Sequence, residues 1–517
     1  MPSPDDPTSL ADIALRRARR DASTPFLLTI DEQEPYAVRT LTYGQIASRA
    51  AVLAHALRGA GVVPGERVGC YLPNSPSWVV ASLALWWSGD AVAAAGTLLP
   101  GAEAARLFAM AGATTVVTTS DAGELADEFA IVRVDTDGLI EGSLDPGDTA
   151  WETPDLVLPA ADDLAVAIFT SGTTGRPKGI THTHSDVIAT GWRVAAAYAR
   201  NSGYRPDPAP AHLAPGVVFN PFGHMAGYSR LAFRMWIGRP TVIVSKFSVA
   251  AVRALLARFD MDSLQLTPTM IQMLATTDEA LDLRGVKYVT SGTAPLSIAT
   301  RARFEERYGV PAMQAYGMSE VGAVAQERYD DVIAGRRGPG SVGRIAAGVE
   351  VQIRPLDDDR PAGEGEIWVR TDEASSEFIG GEPVPVDEDG WFPTGDVGRL
   401  DDGILYITGR VQEKIIVGGF NVYPAEVEDV ARSSPLVRDA VVVGLPDERL
   451  GELPVAGIVW AGEPNEDRLL EEMRTNLARY KVPRMLFSLD TVPLTPREKV
   501  DRGRVGELAR EALGVST

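Results

Sequence analysis

The stretch Phe169-Thr170-Ser171-Gly172-Thr173-Thr174-Gly175-Arg176-Pro177-Lys178-Gly179 decides how this 517-residue chain is read. An apolar run, residues 164–169, leads into it and has the length and composition of a short buried strand. The next ten residues hold three glycines, four hydroxyl side chains and two cations. Glycine lets a backbone turn tightly and present its N–H groups to an anion. Thr170, Ser171, Thr173 and Thr174 add donors, and Arg176 and Lys178 add positive charge. A helix is expected to follow, capped by Ser185. The order reads as a cradle for a polyphosphate. It lacks the Gly-Lys-Ser/Thr triplet that closes the P-loop of the common NTPases, and a flexible polar loop is the competing reading.

The chain around this loop is long for one hydrophobic core, which argues two or more domains. Apolar residues make up 45% and charged residues 23%, as in an ordinary globular protein. A net charge of −21 repels nucleic acid and anionic membranes, so local Arg and Lys clusters stand out as anion sites. The one cysteine, Cys70, excludes an internal disulfide and reads as a buried thiol. Five scattered histidines argue against a zinc site. The acidic, proline-bearing start is unlike a secretory leader, and the longest apolar run is too short to span a bilayer. A cytoplasmic protein with neither nucleic-acid nor membrane partners is expected; its oligomeric state is open, a homodimer included.

Upstream of the loop, helical segments (46–61, 78–88) alternate with strand-like ones (68–72, 116–118, 131–134). This argues an α/β fold with a largely parallel sheet. Downstream, Phe219-Asn220-Pro221-Phe222-Gly223-His224-Met225-Ala226-Gly227 sets a histidine among apolar residues and glycines. A hydrogen-bonded core histidine is one reading of it. Residues 288–295 repeat the strand-then-loop pattern. Gln314-Ala315-Tyr316-Gly317-Met318-Ser319-Glu320 puts an aromatic beside a turn. The Tyr316 face suits adenine, the Ser319 hydroxyl suits an α-phosphate, and Glu320 is a hard-oxygen ligand for the Mg²⁺ that accompanies ATP. The alternative is a capping serine followed by an acidic first-turn residue. The glycines of 338–343 and 363–367 read as turns of a β-rich region. In Trp391-Phe392-Pro393-Thr394-Gly395-Asp396, a carboxylate on a tight turn suits a ribose diol. Arg410 follows a strand at 404–407, placed to bond the ribose and balance phosphate charge. Gly418-Gly419 lets a loop approach a thin ligand, and the residues from 425 onward suit a compact domain of about a hundred residues.

In order and spacing these motifs resemble the adenylate-forming superfamily of acyl-CoA synthetases, peptide-synthetase adenylation domains and luciferases, over about residues 40–505. The chain looks most like an acyl-CoA ligase. The resemblance implies a large N-terminal domain of α/β subdomains with a small β-rich subdomain, residues 1–410. A small mobile α+β C-terminal lid domain, residues 411–517, would pivot near Gln412. It implies Gly172 and its neighbours on the ATP phosphates, with Gly292, Thr293, Ala294, Pro295, Gln314, Ala315, Tyr316 and Gly317 about the adenine of ATP or AMP. Lys499 takes the place of the catalytic lysine, and Gly418 and Gly419 border the pantetheine of CoA. The His224 motif becomes the acyl pocket, with Phe222, Met225, Tyr228, Met318 and Val321 as lining, and these imply a largely apolar acid. The family's chemistry joins a carboxylate to the α-phosphate of ATP and then transfers the acyl group to the CoA thiol.

Four residues depart from the family's pattern. No carboxylate accompanies His224, so a free α-amino acid substrate would lack its counter-ion. Ser319 replaces threonine, and Gln412 replaces Asp or Lys. Glu498 stands where glycine precedes the lysine. A carboxylate beside Lys499 either weakens adenylation, leaving an enzyme suited to an acyl-adenylate made elsewhere, or faces solvent without effect. Other readings are a ligase serving a separate carrier protein, a luciferase-like oxidation, and a non-catalytic adenylate-binding sensor.

Overall fold

The computed structural model describes the chain except residues 1–6, 31–37, 120–122, 124, 141–155, 172–176, 203–213, 220–221, 280, 357–362, 373, 376, 496–499 and 514–517. Its first β-layer is a six-stranded sheet in the order Ala130–Arg133, Thr115–Thr118, Arg67–Leu72, Ala91–Gly96, Leu164–Ser171, Pro177–Thr183. The first five strands are parallel and the last is antiparallel. Parallel strands covered on both faces read as unbroken apolar runs, which is why Ala91–Gly96 shows no alternation. The Pro76–Trp87 helix is buried along its whole length. Its indole N–H groups are satisfied inside the core: Trp78 donates to the Tyr228 hydroxyl (2.7 Å), Trp86 to the Ala165 carbonyl (2.9 Å) and Trp87 to the Ala11 carbonyl (3.1 Å). Cys70 lies fully buried in the same layer.

The expected helix does not follow the glycine-rich loop directly. The chain first returns as the Pro177–Thr183 strand, pairing Thr170 with Lys178 and Phe169 with Gly179. The helix His184–Ser202 starts only then, and its cap is Thr183 rather than Ser185. The Thr183 hydroxyl accepts the Asp186 N–H (3.2 Å) while the Asp186 carboxylate accepts the Thr183 N–H (2.9 Å).

A four-stranded sheet and a nine-stranded sheet complete the large body. The nine-stranded sheet changes character along its length. Ser263–Leu266, Tyr288–Ser291 and Ala312–Met318 run parallel, and from Gly322–Gln326 onward every pairing is antiparallel. The antiparallel part is the β-rich region expected from the glycines. At Gly343 (φ +88°) a Cβ would sit 2.1 Å from the Gln326 carbonyl carbon, so only glycine fits.

After the single 3₁₀ turn Val411–Glu413, the chain forms a five-stranded sheet with three helices, Pro424–Ser433, Glu466–Asn476 and Arg502–Leu513. This part has an apolar core of its own, including Val422, Val427, Val442, Ile458, Leu469 and Met473. Polar groups hold it against the large body. Arg303 Nη2 donates to the carbonyls of Arg432 (2.7 Å), Ser434 (3.2 Å) and Val437 (3.2 Å), and Gln272 Nε2 donates to the Arg438 carbonyl (3.1 Å).

Candidate active site

Turns and strand ends of the nine-stranded sheet open onto one cavity of about 2430 Å³, which the C-terminal part helps to wall. Open α/β sheets place their ligand sites in such crevices, because the loops there are free to vary over a rigid frame. Thr170 and Lys178 line it from the cradle strands, and His224 and Met225 from the start of the Met225–Ile237 helix. Gly292, Thr293, Ala294 and Pro295 border it, as do Gln314, Ala315, Tyr316, Gly317, Met318, Ser319 and Glu320. Asp396, Arg410, Gln412 and Gly419 complete the set of expected residues on its wall.

Asp396 joins two motifs that lie 80 residues apart. Its carboxylate accepts the Tyr316 hydroxyl (2.7 Å) and the Arg410 Nε–H (2.8 Å), and it is 7% exposed. Asp396 and Arg410 are direct partners on adjacent antiparallel strands, which fixes their reach. The carboxylate is itself held by its turn: Thr394 Oγ1 accepts the Asp396 N–H (3.1 Å) and donates to the Ile367 carbonyl (2.7 Å). Burial first, and the Asp396 charge second, push the Tyr316 phenol well above its ordinary range. It therefore stays protonated and donates, which fixes the ring plane. Gln314 is fixed from behind: its backbone N–H donates to Glu327 (2.8 Å), and its side-chain oxygen accepts from Arg301 (3.1 Å). Thr293 adopts φ +74°, a left-handed conformation that costs a β-branched residue on the order of 1–2 kcal/mol. Its neighbour Gly292 packs close to Ala315, where a Cβ would meet the Ala315 carbonyl oxygen at 3.6 Å.

Several expectations are corrected. Phe222 and Tyr228 (each 1% exposed) pack in the large core, Phe222 stacked on Trp78, and Val321 (0%) packs in the antiparallel core. None of the three lines the cavity. Helix Met225–Ile237 turns Tyr228 toward the Pro76–Trp87 helix, a choice of face that the motif does not encode. Gly418 also stands off the cavity, its N–H donating to the Leu450 carbonyl (2.7 Å). Gly172, Thr173, Thr174 and Lys499 lie outside the described residues, and for Ser171 only the backbone pairing with Pro177 is described. Leu494 and Val500, which flank the lysine segment, pair with each other and both line the cavity.

The structure adds groups that the motifs do not name. His182, on the strand after the cradle, is 1% exposed. Burial lowers its imidazole to about 4, and the Ser319 backbone, the polar group that faces the ring, opposes that shift. Arg193, Arg230 and Arg234 face the cavity from two helices.

An α/β body and a large crevice, walled by a tyrosine–aspartate–arginine cluster and in part by the small C-terminal part, suit a nucleotide-dependent enzyme. A profile described as AMP-binding enzyme matches residues 16–377, and one described as AMP-binding enzyme C-terminal domain matches residues 426–499. The chain belongs to the AMP-binding enzyme family. It is 32% identical to a feruloyl-CoA synthase of an Amycolatopsis species, covering 90% of this chain and 93% of that one. It is 31% identical to the 3-[(3aS,4S,7aS)-7a-methyl-1,5-dioxo-octahydro-1H-inden-4-yl]propanoyl:CoA ligase of Rhodococcus jostii, covering 89% and 92%. The solved o-succinylbenzoate CoA synthetase of Bacillus subtilis with its acyl-adenylate superposes with a TM-score of 0.80 at 25% identity, covering 95% and 97%.

Proposed function

We propose that this protein is an AMP-forming acyl-CoA ligase. In the first half-reaction a carboxylate oxygen of the acid bonds to the α-phosphorus of ATP. The bond from that phosphorus to the bridging oxygen breaks, and pyrophosphate leaves. In the second, the CoA sulfur bonds to the acyl carbon, the carbon–oxygen bond breaks, AMP leaves, and the thiol proton passes to solvent.

The observation that carries this reading is the Asp396 carboxylate, fixed by Tyr316 and Arg410 on the same cavity wall as Thr170, Lys178, Ser319 and Glu320. Asp396 takes the ribose hydroxyls, and the Tyr316 ring, set in plane by its hydroxyl, stacks on adenine. The first half-reaction joins two anions, so its barrier is largely electrostatic. Thr170, Lys178 and Ser319 supply donors and charge at the phosphates, and Lys499, spanned by the C-terminal family match, supplies charge at the transferring phosphorus. A Mg²⁺ arriving with ATP needs only one or two protein carboxylates, and Glu320 fits that need. Among the described residues no cluster of three ligands would hold a metal by itself. Such an ion would be held by Glu320 and would neutralise phosphate charge.

The lid reading gives the second half-reaction its geometry. Turning of the C-terminal part about Val411–Glu413 exchanges the Lys499 segment for the Gly419 loop. Arg502, which opens the last helix, pairs with Glu413 (3.3 Å) in the hinge turn and with Glu428 (2.5 Å), which ties that helix to the C-terminal part and its hinge.

The test is to incubate the protein with ATP, CoA and a panel of carboxylic acids, and to measure AMP and thioester together. Acid-dependent AMP with stoichiometric thioester supports the reading. Thioester formed only when a holo-carrier protein replaces CoA reassigns the acceptor, and tight AMP binding with no turnover for any acid favours the sensor.

A further inference from the structure

The acyl end of the cavity is not the apolar slot that the motif residues implied. Ala226, Ser229, Arg230, Phe233 and Arg234 line it from one face of the Met225–Ile237 helix, at the three- and four-residue spacing of a helical stripe. Two of the five are arginines. Among the described residues Arg230 has no hydrogen-bond or ion-pair partner; burial alone lowers its guanidinium to about 9, with no carboxylate opposing the shift. Arg234 is 4% exposed. Its Nη2 donates to the Val217 carbonyl (2.8 Å), but its Nε and Nη1 are buried without a partner. Its guanidinium is held far below its ordinary range by burial first, then by the like charges of Arg239 and Arg230.

The local charge does not balance. Arg239 is paired with Asp262 (2.6 Å), and the same Asp262 accepts the Tyr198 hydroxyl (2.6 Å). That leaves Arg230 without a counter-charge, and Arg234 with only the charge of the Asp262 that Arg239 already pairs. Among the described wall residues between 189 and 319 there is no Asp or Glu, in a chain that carries 70 of them. A buried cation is ordinarily paired; Arg234 is buried and Arg230, half-buried, borders the cavity beside it, so an anion there would complete the site.

We infer that the acid carries a second anionic group, a carboxylate or sulfonate, bound by Arg230 with Arg234 behind it. The inference rests on the ligase reading above and names the substrate class of the same site. Arg230 lies six residues along the helix from His224, ~9 Å of axial rise, so the two anionic ends of the acid stand on the order of that distance apart. The phosphates of ATP are a poorer occupant, because the donors read for them, Thr170, Lys178 and Ser319, come from other elements of the cavity wall than this helix. Planar guanidinium forks suit bidentate carboxylate and sulfonate recognition.

The experiment pairs straight-chain dicarboxylates of about four to ten carbons, and their sulfonate analogues, with monocarboxylates of equal length. It measures AMP release with CoA, and separately the thermal shift each acid produces. A site built for a polar group rejects an analogue lacking it strongly, so the matching diacid is expected to exceed its monoacid in kcat/KM by on the order of 10²-fold or more. Arg230→Met is expected to collapse that ratio and Arg230→Lys to restore part of it. Arg230→Met is also expected to hold or raise the melting temperature of the ligand-free protein, since it removes an uncompensated charge, while abolishing stabilisation by the diacid. The inference is overturned if every acid that turns over is used as well or better as the monoacid, or if the ratio is unchanged in Arg230→Met. It is equally overturned if the substitution alters only the preference for CoA over dephospho-CoA. If no acid releases AMP yet diacids stabilise the wild type and not Arg230→Met, the inference stands and the ligase reading falls. If neither effect is seen, both fall.

Discussion

Asp396→Asn separates nucleotide recognition from folding. The carboxylate accepts from Tyr316 and Arg410 at 2.7 and 2.8 Å, and in the proposed complex it accepts the ribose hydroxyls as well. An amide of the same shape keeps one acceptor oxygen and turns the other into a donor, which faces groups that are themselves donors. One hydrogen bond to a charged group is worth about 1.5–3 kcal/mol, so the affinity for AMP and ATP is expected to fall roughly 10- to 150-fold. Stability is expected to change much less. The Arg410 side chain is 45% exposed and can return to water, and ion pairs of that kind contribute at most about 1 kcal/mol. Calorimetric titration with AMP beside a thermal melt reads both quantities. A dissociation constant within about threefold of wild type would refute the ribose assignment. A large fall in melting temperature with intact binding would make Asp396 a structural residue instead.

Four further outcomes follow from named contacts. His182 and His184 are held near 4 by burial against an ordinary value of 6.5. The unfolded chain therefore binds more protons between those values, and stability, complete above pH 6.5, drains as the pH falls toward 4. At pH 5 each is expected to cost about 2 kcal/mol, and His182→Gln should flatten part of the pH 7-to-5 drop in urea midpoint; an undiminished drop would contradict this. Gly317→Ala places a Cβ 2.5 Å from the Gly322 carbonyl oxygen. It should lower both the melting temperature and the AMP affinity, by about 1–3 kcal/mol of strain in the hairpin, and unchanged values of both would count against the described turn. Arg303→Ala removes the donor shared by three carbonyls of the C-terminal part. Faster proteolysis near Val411–Glu413 is expected, and an identical digestion profile would show that the contact does not hold the C-terminal part. Glu498→Gly compares the two readings of that residue: a gain in acid-dependent pyrophosphate release of up to about 10²-fold shows a suppressed first half-reaction, and equal rates show a carboxylate facing solvent.

What the sequence revealed was chiefly what neighbouring residues dictate. The cradle, the Tyr316 turn and the Asp396 turn depend on glycines and hydroxyls within a few positions of one another, so their chemistry is local. Strand and helix periods likewise located Arg67–Leu72 and Pro76–Trp87 to within a few residues. The facing of side chains was harder to read. Met225 and Tyr228 are three residues apart on one helix, yet one lines the cavity and the other accepts the Trp78 indole N–H, because the Pro76–Trp87 helix packs on that side. Arg230 and Arg234, at i and i+4, resemble a solvated stripe in sequence, and only the packing of the His184–Ser202 helix beside theirs turns that stripe inward. The Pro177–Thr183 strand was missed because its glycine, proline and histidines carry little strand signal, and pairing with Leu164–Ser171 supplies the order.

The most direct measurement follows an oxygen atom. An acid that turns over, labelled with ¹⁸O in its carboxylate, is supplied with ATP and CoA, and the products are weighed by mass spectrometry. Attack of the carboxylate on the α-phosphorus predicts one labelled oxygen in each AMP and none in pyrophosphate. Unlabelled AMP, or label carried into inorganic phosphate, would contradict it.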